Sequence, residues 1–172
     1  MFRRTKSILA LALLLSSASV AIAEPLWPAD VDRLREYASL FENSPYHFGA
    51  RRPASEDCSS FIQKVFASAG IELPRSSSEQ AKDPRFVDVP LEMLRAGDLV
   101  FFRNTWRRGV SHVAFMLDGE TMIHSSPSHG KVLRSTLTPR HPLWRKIHSV
   151  RRLAPSVYDD TLRPRFSWEE KS

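Results

Sequence analysis

Cys58 is the single cysteine of the chain, and its position makes it a candidate nucleophile. Beyond it, Phe61, Ile62, Val65, Phe66 and Ala69 recur at spacings of three and four, which predicts a helix with one apolar stripe. Ser55 or Asp57 suits its N-cap, so the thiol falls on the first turn. Backbone N–H groups there lack partners and the helix dipole is positive, and both effects favour thiolate over thiol. A lone cysteine on an apolar stripe is also how a small core residue looks. Entry from the polar run at residues 51–56 is what separates Cys58 from that case. A thiolate that attacks an amide needs a base to stabilise it and to protonate the leaving amine.

Six histidines are available, and His112 and His124 stand out because they flank a predicted hairpin. With a three-residue loop at residues 117–119 and Gly119 in the left-handed position, His112 faces His124 on one side of the sheet. Directly opposed side chains have Cβ atoms about 4.5–5.5 Å apart, close enough for one imidazole to fix the tautomer of the other. A two-residue turn at Asp118-Gly119 would break this register. Cysteine, histidine and histidine would then act as nucleophile, base and orienting residue.

These residues need elements to hold them. Val31, Leu34, Ala38 and Phe41 predict a helix from Pro28, stopped at residues 43–45. Gly70 is placed as the C-cap of the cysteine helix, with Pro74 blocking its continuation. Ser76 and Glu79 have capping-box spacing for a short helix near residues 77–82. After Pro90 the pattern is of strands, at 98–102, 112–116, 121–125, 131–134 and 147–153. Helices followed by strands predict an α+β fold with an antiparallel sheet.

The first residues have a different character. Arg3, Arg4 and Lys6 precede an apolar run at 8–15, and Ala21-Ile22-Ala23 closes it. That order predicts an export signal at 1–23, followed by a domain at 24–154 and a polar tail at 155–172. The apolar run is well short of the roughly 20 residues that cross a bilayer, so stable membrane insertion is not expected after cleavage. The leader carries three basic and no acidic residues, so its removal lowers the net charge from +6 to +3. A nucleic-acid binder would concentrate a basic stripe, whereas this chain has only the local pairs Arg51-Arg52, Arg107-Arg108 and Arg151-Arg152.

The runs Asp57-Cys58-Ser59-Ser60-Phe61 and Gly70 through Gln80 resemble the nucleophile region of the NlpC/P60 peptidases of bacterial cell walls. Ala96 through Phe102 resembles the family's next block, and Ser111-His112-Val113-Ala114 with Met122 through Ser126 resembles its histidine blocks. Trp144 through Arg152 resembles the closing segment, so the likeness runs from about residue 45 to 153 in the family's order. The resemblance implies a papain-like α+β fold, with N-terminal helices packed on an antiparallel sheet, and hydrolysis of peptidoglycan stem peptides without a cofactor. It implies Cys58 as nucleophile, His112 as base and His124 as the third residue. It places Tyr46 near the thiol to assist substrate or oxyanion binding, and Asp57 and Ser59 in the lining of the substrate pocket. Ser60 departs from the pattern, because glycine or another small residue is more usual there.

The scissile bond would be γ-D-Glu–diaminopimelate within a stem or D-Ala–diaminopimelate in a cross-link. Both substrates carry free carboxylates, for which Arg107 and Arg108 beside Trp106 are candidate partners. Three alternatives remain at this point. One is a non-catalytic wall-binding protein on the same scaffold; another is a different amidase or acyltransferase of the thiol-enzyme superfamily. The last is a metal protein using His112, His124 and His129, although no H-E-x-x-H or paired C-x-x-C motif is present. An exported protein is expected, in the periplasm, with secretion as the alternative.

Overall fold

The computed structural model describes residues 28–50 and 54–154. The expected export signal and polar tail lie outside the described residues. Three helices come first: α1 at Pro28–Ser39, α2 at Cys58–Ala67 and α3 at Ser77–Gln80. Six strands follow: β1 at Phe86–Asp88, β2 at Leu99–Arg103, β3 at Val110–Met116, β4 at Thr121–Ser126, β5 at Lys131–Thr136 and β6 at Ile147–Leu153. They form one sheet in the order β1-β6-β2-β3-β4-β5, with every pairing antiparallel. The α+β expectation holds. No helix among the described residues is long and apolar enough to cross a membrane.

Helix α2 is built from local signals. The Asp57 carboxylate accepts from the Ser60 amide at 2.8 Å, and Ser60 Oγ accepts from the Asp57 amide at 2.9 Å. This reciprocal capping box gives Ser60 a use that glycine could not supply. At the other end, Ile71 N–H donates to the Phe66 carbonyl and Gly70 N–H to that of Ala67. That is a Schellman closure with Gly70 at φ +75°, a backbone region costly for side-chain-bearing residues. The apolar stripe of α2 then packs on one face of the sheet, among Leu99, Phe101, Val113, Phe115 and Ile123.

The opposite sheet face is also covered. Val100, Phe102, Ala114, Met116 and Met122 form a second core with Leu137 and Val150, closed by Leu91, Leu94, Leu143, Trp144 and Ile147. Burial on both faces explains why β2 is an unbroken apolar run, Leu99-Val100-Phe101-Phe102, rather than an alternating one.

Two expectations need correction. The β3–β4 register pairs Phe115 with Ile123 and Met116 with Met122, two residues away from the predicted pairing. Gly119 is not left-handed; the Asp118 carboxylate instead shapes the loop by accepting from the Glu120 and Thr121 amides at 2.8 and 2.6 Å. An even shift leaves His112 and His124 on one face. Strand β1 is an addition to the five expected strands.

Candidate functional site

β3 and β4 pair only at Phe115↔Ile123 and Met116↔Met122, then separate toward the His112 end of β3. The Met116 amide donates to the Asp98 carbonyl on the β2 side, so strand alternation turns the Val113 amide toward β4. With no β4 partner opposite, that amide meets the sulfur of Cys58, brought in by the first turn of α2. On the other sheet face, His112 Nε2 and His124 Nδ1 lie 2.8 Å apart, bridging the separated strands. His112 and His124 are therefore diagonal rather than directly opposed, a spacing within reach of ring side chains. No hydrogen bond among the described residues joins the thiol to either imidazole.

All three groups are shielded from water. Cys58 is 8% exposed, and His112 and His124 are each 4% exposed. Burial pushes the Cys58 thiol up to about 12, and the neighbouring Asp57 charge pushes the same way. The Val113, Ser59 and Cys58 amides oppose this but are outweighed. This corrects the expectation of a resting thiolate, because desolvation at this helix tip exceeds the favourable end effect. Burial also lowers His112 to about 4. It places His124 well below its ordinary value, with His112, His141 and His129 adding to the effect. The resting site thus holds a neutral thiol and two neutral imidazoles. The second nitrogen of His124, Nε2, lies 3.4 Å from Ser135 Oγ.

In front of Cys58 is an open cleft of about 340 Å³, lined by Tyr46, Asp57, Cys58 and Ser59 from one side and by Arg75, Trp106, Arg107 and Ser111 from others. Four predicted site residues therefore share one cavity, and the two imidazoles lie outside its lining. Tyr46 is fixed by its amide, which donates to the Gly130 carbonyl at 2.8 Å, and by a short parallel bridge to Glu56. Burial raises the Tyr46 phenol, with Cys58 and Asp57 adding to the shift, so it stays protonated. Arg107 reaches the cleft, whereas Arg108 is absent from its lining.

Asp57 is heavily engaged. Its carboxylate binds the Arg75 guanidinium through both oxygens and also accepts from Ser59 Oγ, Ser60 N–H and Gly49 N–H. Burial alone would raise its pKa, but the Arg75 bonds and the Ser60 amide outweigh it and hold the group below its ordinary value. Gly49 donates from φ 78°, a conformation that suits glycine. Arg75 Nη1 also reaches Ser59 Oγ at 2.9 Å, so one guanidinium ties the loop before α3 to the first turn of α2.

Arg75, Gln80, Glu56 and Ser125 are not among the expected site residues, yet all four hold the site. Gln80 Nε2 donates to the Ser59 carbonyl at 3.1 Å. The Glu56 carboxylate, 1% exposed, binds Lys64 Nζ and Ser60 Oγ. Ser125 Oγ donates to the Glu56 carbonyl at 2.8 Å, linking the strand that carries His124 to the entrance of α2. A usable signal in the sequence was the acidic pair Glu56-Asp57 directly before Cys58, which demands countercharges wherever the fold encloses it. Among the described residues, no group of three or more His, Cys, Asp or Glu side chains is placed to hold a metal ion.

Comparison with known proteins gives a consistent answer. Residues 43–152 match the model of the NlpC/P60 family. The chain is 36% identical over 94 residues to the gamma-D-glutamyl-L-lysine dipeptidyl-peptidase of Bacillus subtilis, covering 54% of this chain and 31% of that protein. It is 34% identical over 123 residues to the murein DD-endopeptidase MepS/murein LD-carboxypeptidase of Escherichia coli K12, covering 70% of this chain and 61% of that one. It therefore spans about a third of the first relative and under two thirds of the second. A crystal structure of an NlpC/P60 family protein from Bacillus cereus superposes with a TM-score of 0.63 at 31% identity, over 72% of this chain and 40% of that one. The family match covers both the cysteine helix and the two histidine strands, and on that ground the chain belongs to the NlpC/P60 family.

Proposed function

We propose that this protein is an exported cysteine endopeptidase that cleaves the stem peptides of peptidoglycan. The observation that carries the reading is the imidazole pair at 2.8 Å bridging the strand gap into which Cys58 reaches. The names of the B. subtilis and E. coli relatives support the substrate class.

In this reading Cys58 Sγ attacks the amide carbonyl as its proton passes to His112. His112 Nε2 is committed to His124, which in this reading makes Nδ1 the nitrogen that takes the thiol proton. For Nδ1 to accept, Nε2 must carry the ring proton and donate it to His124 Nδ1, so His124 carries its own proton on Nε2, toward Ser135. The oxyanion meets first-turn amides of α2 and the protonated Tyr46 phenol. Collapse gives a thioester as His112 protonates the departing amine. Water, deprotonated by His112, then hydrolyses the thioester and restores the thiol. Asp57, saturated by its donors, holds the cleft wall, while Ser59 and Arg75 present polar atoms to substrate. The bond cut is γ-D-Glu–diaminopimelate or D-Ala–diaminopimelate.

Digestion of purified muropeptides, with products identified by mass spectrometry, tests the reading. The wild type should release stem-peptide fragments and Cys58→Ala should release none. Equal product from both proteins would overturn it.

A further inference from the structure

The mouth of the cleft carries two large, exposed aromatic side chains. Phe48 is 62% exposed and Trp106 is 53% exposed. They come from separate loops and meet edge to face, with centroids 5.3 Å apart and planes at 83°. The indole is fixed because Trp106 Nε1 donates to the Ser111 carbonyl at 2.6 Å, one residue before His112. The loop around it is tied by Thr105 N–H to Ser111 Oγ at 3.0 Å and by Gly109 N–H to Asn104 Oδ1 at 3.0 Å. The wall is therefore built before substrate arrives, and exposed apolar area of this kind marks a contact surface.

Arg107 lies over this wall, its guanidinium carbon 5.2 Å from the Trp106 ring centroid. Its Nη2 donates to Ser78 Oγ at 3.3 Å, which steadies the group across the cleft. The other charges in the lining, Asp57 and Arg75, neutralise one another. Arg107 has no carboxylate partner among the described residues. Among the described lining residues, the cleft thus presents one uncompensated cation, planar, set over an aromatic ring and with N–H groups beyond the one given to Ser78. That is the geometry that binds a carboxylate through two parallel hydrogen bonds.

We infer that Phe48, Trp106 and Arg107 form a specificity subsite that selects substrates bearing a free carboxylate on a residue flanking the scissile amide. This rests on the reading of the protein as a stem-peptide hydrolase and adds to it a discrimination between free and amidated stems. Arg107 binds the anion, Trp106 holds the guanidinium plane, and Phe48 buttresses the indole.

The test uses synthetic stem peptides in which each carboxylate beside the cut bond is either free or amidated. Kinetics are measured for the wild type, Arg107→Gln and Trp106→Ala. Binding to Cys58→Ala is measured by calorimetry with the same peptides. Amidating one carboxylate should raise the wild-type KM about tenfold, and Arg107→Gln should cause a similar rise on the free form. The two changes together should cost no more than either alone. Additive losses, or equal use of free and amidated peptides by the wild type, would overturn the subsite and leave the hydrolase reading standing. No cleavage of any peptide, with about tenfold tighter binding of the free form to Cys58→Ala, would remove the hydrolase reading and support the subsite. Neither cleavage nor binding would remove both.

Discussion

At the scale of residues, the site stores neutrality rather than charge. Burial pushes the thiol up to about 12 and lowers the imidazole to about 4, and both shifts disfavour a resting ion pair. In the proposed mechanism, proton transfer therefore accompanies attack on the carbonyl, when the oxyanion donors come into use. The thiol should therefore react slowly with an uncharged alkylating agent such as iodoacetamide. Its rate should lack a plateau between pH 4 and 8 and should rise only as the solution becomes alkaline, because a raised pKa delays the thiolate to higher pH. The measurement is the rate of Cys58 modification against pH, read by mass spectrometry. A plateau reached below pH 6 would show a preformed thiolate and contradict this account. Tyr46 and Asp57 fit the same economy, one held protonated and the other held ionised by Arg75.

At the scale of elements, what was legible in the sequence was local. The stripe of α2, the capping box at Ser76 and Glu79, and Gly70 at the helix end are contacts between residues at most five apart, and the chain order displays them directly. Five of the six strands show in their composition for the same reason. Strand β1 does not, because its three residues lie between Pro84 and Pro90 and are defined by pairing with β6 far along the chain. The β3–β4 register was missed because the Asp118 carboxylate, rather than a left-handed glycine, shapes the turn. Arg75, Gln80 and Ser125 act across separations of 18, 21 and 69 residues, which no periodicity records. The Ser125–Glu56 bond is the informative one, since it joins the strand of His124 to the start of the cysteine helix. Removing it in Ser125→Ala leaves the Glu56 carbonyl with the His47 amide and should cost about 1 kcal/mol of stability. Its larger effect should be on alignment, lowering kcat about tenfold with KM little changed. Ser126→Ala is the control, because among the described residues that hydroxyl bonds Ser128 and His129 and not Glu56. Urea unfolding and muropeptide kinetics measure both effects. A rise in KM alone, or the same loss of kcat in the control, would show that the bond does not align the site.

At the scale of the whole molecule, the sheet is buried on both faces and the site occupies a gap where β3 and β4 separate. Enclosure couples the site to folding through protons. The unfolded chain protonates His112 near 6.5 and the folded chain only near 4, so unfolding takes up a proton between those values. Stability is therefore complete above about pH 6.5 and falls as pH drops toward 4, by roughly 3 kcal/mol for this imidazole alone. His124 is lowered by the same burial and adds to the loss. The carboxylates Asp57, Asp83 and Asp118, all lowered, contribute stability that is lost only at still lower pH. Cys58 acts at the other limit: its thiol ionises near 9 when unfolded and near 12 when folded, so stability falls as pH rises through that interval. Denaturant unfolding from pH 4 to 10 should trace a plateau with two falling limbs. His124→Asn, which keeps an acceptor for His112, should make the acid limb shallower, and Cys58→Ser should flatten the alkaline one. If both variants kept the wild-type slopes, the buried imidazoles and thiol would not be the groups that tie folding to pH.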